Sequence, residues 1–316
     1  MKEIGGYIEL DTYHLPMLHE GALALNCGRN ALAYLLRARK IKHLWIPKLI
    51  CDSVTGVCER EHVPYSFYNI GLNFLPANEI KLDEGDWFYF VNYYSQFDND
   101  FITKLFNKYK NIIVDNAQSY FQLPVNGVDT LYTCRKYFGV ADGAFLYTDV
   151  PLSEDLLTDE SFERMHFLLG RYERSASEFY SEYVANNDLF DNEPLRKMSK
   201  LTWNLLHGID YEQVKVTRIR NYFYLHKQLR NRNQLKISDK PGTFMYPILL
   251  DNGFKIRKRL QAERIYIPML WPNVFDICSI NELECDMAKN ILPLPIDQRY
   301  SFEDMEYICN LIDYLL

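Results

Sequence analysis

Between residues 21 and 150, short apolar runs alternate with segments of helical spacing, and no other feature of the 316-residue chain limits its fold as strongly. "HLWIP" (43–47), "YSFYNI" (65–70), "WFYFVNYY" (87–94), "NIIVDNA" (111–117), "DTLYT" (129–133) and "AFLYTD" (144–149) read as strands. "NALAYLLRARK" (30–40), "CDSVTGVCEREH" (51–62) and "DNDFITKLFNKYK" (98–110) carry the spacing of helices. Unbroken apolar runs suit strands covered on both faces, so the pattern predicts βαβ units around a mostly parallel sheet.

Beyond residue 152 the composition shifts. The segment to about 232 is helical, with a long helix expected near 211–232. The last quarter mixes strand-like "TFMYPILL" (243–250) and "RIYIPML" (264–270) with helical "GFKIRKRLQAE" (253–263) and "SFEDMEYICNLIDYLL" (301–316). The expectation is an α/β protein with a large domain over residues 1–205 and a smaller C-terminal α+β domain over 206–316.

A net charge of −7 argues against a nucleic-acid binder, and the basic run "KIRKRLQAER" (255–264) reads as the solvated face of a helix. The seven cysteines include no CxxC pair, so neither a zinc knuckle nor a disulfide framework is expected. Reduced thiols suit a cytoplasmic protein. The N-terminus lacks an apolar signal core, no run of 18 apolar residues occurs, and no membrane span is expected. The histidines show no ligand-like spacing, and no metal is expected.

Open parallel sheets bind ligands at the carboxyl ends of their strands. Four segments fall there: "NCGRNAL" (26–32), "NYYSQ" (92–96), "DNAQ" (115–118) and "TCRK" (133–136). In the first, Gly28 and Arg29 open a helix whose backbone N–H groups and dipole favour a phosphate. Asp115 closes an apolar strand, where a carboxylate needs a partner, although a helix cap would also suit it. Lys136 lies in an apolar neighbourhood beside Arg135, which lowers the cost of its neutral, nucleophilic form. An ordinary loop lysine is the other reading. Thr133 offers a hydroxyl to the same phosphate. Taken together, a phosphate-binding helix end, a nucleophilic lysine and a carboxylate point to pyridoxal 5′-phosphate (PLP), whose aldehyde the lysine would hold.

These segments resemble the DegT/DnrJ/EryC1/StrS family, the fold-type-I PLP-dependent sugar aminotransferases. "CGRNAL" is similar to the family's phosphate loop, "DNAQ" to its Asp-x-Ala-Gln segment, "NYYSQ" to its His-x-Tyr-Gly-Gln, and Lys136 followed by "ADGA" (141–144) to its lysine and Gly-Glu-Gly-Gly turn. The resemblance covers about residues 20–150. It implies Lys136 as the catalytic lysine, Asp115 as partner of the pyridine nitrogen, and Gln118 beside the cofactor's 3-hydroxyl. Gly28, Arg29 and Thr133 would hold the phosphate, and Tyr94 and Gln96 would face substrate. It further implies a small-molecule amino donor such as glutamate, a nucleotide-linked keto-sugar as acceptor, and a homodimer with the site at its interface. Asn186, Asn187 and Arg196 are the candidates for reaching across that interface. Departures are Arg29 at a hydroxyl position, Asp142 and Ala144 in the turn, and Cys51 or Asp52 where an aromatic often stacks on the ring. Another PLP-dependent reaction, a lyase or dehydratase, or a non-catalytic binder retaining the fold are the alternatives.

Overall fold

The structure, a computed structural model, describes residues 4–316. Seven strands build the central sheet: β1 (Leu23–Leu25), β2 (His43–Pro47), β3 (Tyr65–Tyr68), β4 (Asp86–Val91), β5 (Ile112–Asp115), β6 (Asp129–Thr133) and β7 (Ala144–Tyr147). Their spatial order is β1-β7-β6-β5-β4-β2-β3. Pairings among β3, β2, β4, β5 and β6 are all parallel, whereas β7 runs antiparallel to both β6 and β1. Parallel neighbours need crossovers: helix α2 (Asp52–Arg60) joins β2 to β3 and α3 (Asn99–Tyr109) joins β4 to β5, while α1 (Gly28–Ala38) leads from β1 across to β2. The short turn between β6 and β7 needs none, which is why β7 reverses direction.

In the central sheet the expected strands are present, with one addition, β1. The three-residue β1 lies below the length at which periodicity is visible. The run "WFYFVNYY" stops at Val91, and a tight turn over Tyr93–Ser95 follows, with Tyr94 and Ser95 at φ 51° and 61°. Burial explains why these runs are apolar. Phe88, Phe90, Ile112, Ile113 and Val114 are at most 1% exposed and belong to one large core. Removing such a ring costs about 3–5 kcal/mol.

The helical stretch contains α4 (His166–Glu173), α5 (Tyr180–Leu189), α6 (Lys200–Leu206) and the 19-residue α7 (Tyr211–Leu229). A second core follows, with Tyr222, Leu225, Tyr246, Ile248, Leu260, Leu294, Met305 and Ile312 at its centre. It packs around a two-stranded sheet of β8 (Met245–Leu249) and β9 (Ile291–Pro295). "RIYIPML" is therefore not a strand: "ILPLP" takes the place beside β8. In β9 two prolines mask the strand signal, and Pro293 faces Pro247 across the pair. In a two-stranded sheet both members are edges, so each proline can turn its donor-less nitrogen away from the ladder. In the basic helix Gly253–Ala262 (α8), Lys255, Lys258 and Arg259 are solvated as expected. Arg257 instead turns inward to the carbonyls of Lys289 and Ile291.

His19 is a buried ionisable group packed on Tyr120, Tyr132 and Phe145 of the large core. Its Nε2–H donates to the Tyr120 carbonyl at 2.7 Å, and its Nδ1 accepts from the Tyr147 hydroxyl at 3.1 Å. Burial pulls its pKa down to about 4, against an opposing contribution from the Tyr120 hydrogen bond. The unfolded chain takes up this proton near 6.5 and the folded chain only near 4, so the unfolded state binds more protons between those values. Stability is full above pH 6.5 and is lost as pH falls through that window, by on the order of 3 kcal/mol. Urea unfolding from pH 7 to 4 should show this slope in the wild type, and His19→Gln should flatten it.

Candidate active site

The parallel strands deliver their carboxyl ends to one edge of the sheet. Asp115 ends β5, Thr133 ends β6, and Asn26, Cys27 and Gly28 follow β1. Lys136 emerges from the β6–β7 turn between them. The lysine side chain is reachable by solvent, yet protein surrounds it and burial pulls its ammonium below the ordinary value. The negative fields of Asp115 and Cys51 oppose that shift, and the positive fields of Arg135 and Arg29 add to it. Its Nζ sits 5.5 Å from the centre of the Phe244 ring. The lowered value favours the neutral, nucleophilic amine more than water would.

Asp115 is 9% exposed and held in a fixed orientation. One oxygen accepts from the Tyr89 hydroxyl and the other from the Ala117 N–H, both at 2.8 Å. Burial, followed by the Asp115 charge, holds the Tyr89 hydroxyl far above its usual range, so it remains a donor. Gln118 accepts from the Tyr94 N–H at 2.8 Å. Tyr94 itself is fully enclosed among Phe74, Phe244 and Trp271, and Gln96 bonds to Tyr222, Ser238 and the Tyr94 carbonyl. Gly242 has no room for a side chain here, because a Cβ would lie 2.2 Å from the Tyr94 carbonyl oxygen. Tyr94 is thus buried against Phe244, whose ring also lies near the Lys136 amine, and Gln96 is buried against Tyr222.

At the other end, Cys27 caps α1 through its thiol and the Asn30 N–H, and a Cβ on Gly28 would lie 3.9 Å from that of Thr133. The start of α1 and the end of β6 therefore form one small-residue cup. Arg29, which the sequence aims at a phosphate, is paired with Asp191 at 2.8 Å. Asn186 donates to the Ala141 carbonyl, and Asn187 accepts from Arg135, so both are engaged within their own chain. Arg196 lies 3.6 Å from Asp159 and 3.5 Å from Glu193.

The turn "ADGA" has a structural task of its own. Asp142 is fully buried and accepts from the Ser199 N–H and hydroxyl, each at 2.8 Å, and from the Thr202 hydroxyl. It thereby fixes the start of α6. Burial raises its pKa against the pull of these donors. Gly143 has φ +114° and donates to the Asn26 carbonyl at 2.5 Å. Periodicity could not reveal the links from Lys136 to Phe244 or from Asp142 to Thr202, which span 108 and 60 residues. Only the local pair Arg135–Lys136 was visible as adjacent cations.

No protein-family model matches the chain, and no curated protein matches it by sequence. Solved structures do. The sugar aminotransferase CalS13 from Micromonospora echinospora superposes with a TM-score of 0.62 at 12% identity, over 93% of this chain and 87% of that one. The chain has the fold of the sugar aminotransferases. A DegT DnrJ EryC1 StrS aminotransferase from Brucella abortus matches with a TM-score of 0.63 at 16% identity, covering 93% of this chain and 86% of the other. The putative sugar aminotransferase Spr1654 from Streptococcus pneumoniae, in its PLP form, matches at 0.61 and 11% identity over 94% and 89%. The shared architecture is a fold-type-I α/β arrangement with a mostly parallel central sheet.

Because a Cβ on Gly143 would meet Thr202 at 3.0 Å and Cys134 at 3.1 Å, Gly143→Ala combines backbone strain with overpacking. It should cost about 2–4 kcal/mol, read as a lower urea midpoint.

Proposed function

We propose that the chain is a PLP-dependent aminotransferase that moves an amino group from an amino acid such as glutamate to a keto-sugar, nucleotide-linked in form. The observation that supports this is that the Lys136 amine lies within the fields both of a fixed carboxylate, Asp115, and of Arg29 and Arg135. The residues fit the cofactor: Arg135 Nε is enclosed without a hydrogen-bond partner, and Gly28 sets no side chain between the start of α1 and Thr133. The aminotransferases that share the fold support the same reading.

When bound, PLP supplies an electron sink that acidifies the carbon bearing the amino group. The chain does the rest. Lys136 would hold the aldehyde and, as a free amine, would move the proton at the substrate carbon. Asp115, oriented by Tyr89 and Ala117, would keep the ring nitrogen protonated. Gln118 has its oxygen engaged by Tyr94, which leaves its amide nitrogen for the 3-hydroxyl. Gly28, Thr133 and the N–H groups of α1 hold the phosphate. Residues 1–205 form the cofactor-holding unit, and 206–316 close the site from the side of Phe244.

The active form is a homodimer in the cytoplasm. Leu157, Phe162, Leu169, Tyr172 and Tyr180 are each more than 60% exposed along one stretch, an apolar surface that calls for a cover. It adjoins a cleft of about 670 Å³ lined by Arg164, Glu182 and Asn186. A monomeric mass in light scattering at working concentration would contradict this part. No helix among the described residues is long and apolar enough to cross a membrane.

Borohydride treatment of protein mixed with PLP, followed by peptide mapping, should mark Lys136. Lys136→Ala should lose the mark and should lower transfer from glutamate by at least a thousandfold, roughly 4 kcal/mol of barrier. Marking without turnover would leave a binder that retains the fold.

A further inference from the structure

Three guanidinium groups gather near the start of α1: those of Arg29, Arg60 and Arg135, whose fields all reach the Cys27 thiol. Two have acids beside them. Arg29 pairs with Asp191 at 2.8 Å and Arg60 with Glu61 at 3.1 Å. Arg135 does not: among the described residues no carboxylate lies within 4.0 Å of it. Its one hydrogen bond runs from Nη2 to the neutral Asn187 Oδ1 at 3.1 Å. Its Nε is enclosed and has no partner, and its guanidinium lies 4.7 Å over the Phe190 ring. The field of Asp142 reaches it, but both oxygens of that carboxylate are taken by Ser199 and Thr202.

A half-buried guanidinium whose Nε is enclosed without a partner is costly unless something anionic meets it. Arg135 is two residues from Thr133, whose side chain faces Gly28 across the cup. It is also rigid, gripped by Phe190 and Asn187, with the planar donor fork that suits phosphate oxygens. The N-terminus of the 11-residue α1 adds its dipole to the same spot.

We propose that Arg135, and not Arg29, is the residue that reads the phosphate of the cofactor, making the cup a phosphate-monoester site centred on a guanidinium supplied from within the chain. This rests on the PLP reading of the site and adds to it a residue that determines preference for phosphorylated over unphosphorylated pyridoxal. Arg29 is neutralised by Asp191 and serves that loop. Lys136 and Arg135, adjacent in sequence, thus take the aldehyde and the phosphate of one molecule.

The test compares wild type, Arg135→Met, Arg135→Lys and Arg29→Met by calorimetric titration with PLP, pyridoxal and inorganic phosphate, with urea midpoints measured on the ligand-free proteins. Arg135→Met should raise the Kd for PLP roughly 10- to 100-fold and leave that for pyridoxal unchanged. Arg135→Lys should fall between, because it keeps charge without the fork. The effect of Arg29→Met on PLP should be smaller than that of Arg135→Met. Ligand-free Arg135→Met should be at least as resistant to urea as wild type, since an uncompensated charge has gone; a merely structural arginine would give the reverse. Unchanged PLP affinity in Arg135→Met, or equal weakening of PLP and pyridoxal, overturns the assignment. Should wild type take no PLP at all, the proposed function fails separately, and the phosphate titration still decides. Phosphate binding lost in Arg135→Met supports the site, and equal binding in both proteins overturns it.

Discussion

The turn between β6 and β7 is closed by backbone hydrogen bonds, and the arrangement at the strand ends depends on that closure. The Gly143 N–H reaches the Asn26 carbonyl, and the Cys134 N–H reaches the Gly143 carbonyl at 3.0 Å. Only a residue without a Cβ fits at φ +114° between Thr202 and Cys134. The closure pins the loop bearing Arg135 and Lys136 to the start of α1, and Asp142 ties the same loop to α6. A lysine on an ordinary surface loop would sample many rotamers in water. Here the backbone on both sides of it is fixed, and its pKa is set by what surrounds it.

A second constraint comes from the C-terminal core. Arg218 of α7, 2% exposed, donates to the carbonyls of Tyr137, Thr243 and Phe244 and to the Gln298 side chain, at 2.8–3.3 Å. Its charge is met by carbonyl dipoles, and its guanidinium lies 4.6 Å over the Tyr137 ring. It joins the residue after Lys136 to the residue whose ring lies against the lysine amine. The two cores are thereby coupled at the site itself, so motion of the C-terminal part would be felt at the amine.

The site shows opposed electrostatic ends. The carboxylate at β5 and the guanidinium groups beyond β7 lie on opposite sides of the strand that leads to the lysine. A ligand with a protonatable nitrogen at one end and a phosphate at the other matches this polarity. Two features of the sequence fall where that polarity is built. A guanidinium stands next to the lysine, and Cys51, whose field reaches Lys136, occupies the region where a stacking ring was sought.

Much of the large sheet was legible, because buried strands leave unbroken apolar runs and crossover helices leave a 3.6-residue period. Lys136, Asp115, Gln118, Thr133 and Gly28 were legible as candidates, because ligand sites in such sheets follow strand ends. Other features escaped. The strand β1 is too short to show a period, and β9 hides behind prolines that only a two-stranded sheet tolerates. "RIYIPML" has strand composition but finds no edge to pair with. Tertiary structure alone decided that Tyr94 and Gln96 are buried, that Arg29 has an acid beside it and Arg135 has none, and that Phe244 lies near Lys136. Local sequence sets periodicity and turn chemistry, which act over a few residues. Charge pairing, burial and the direction in which a side chain points depend on neighbours tens to hundreds of residues away, and those neighbours exist only once the chain has folded.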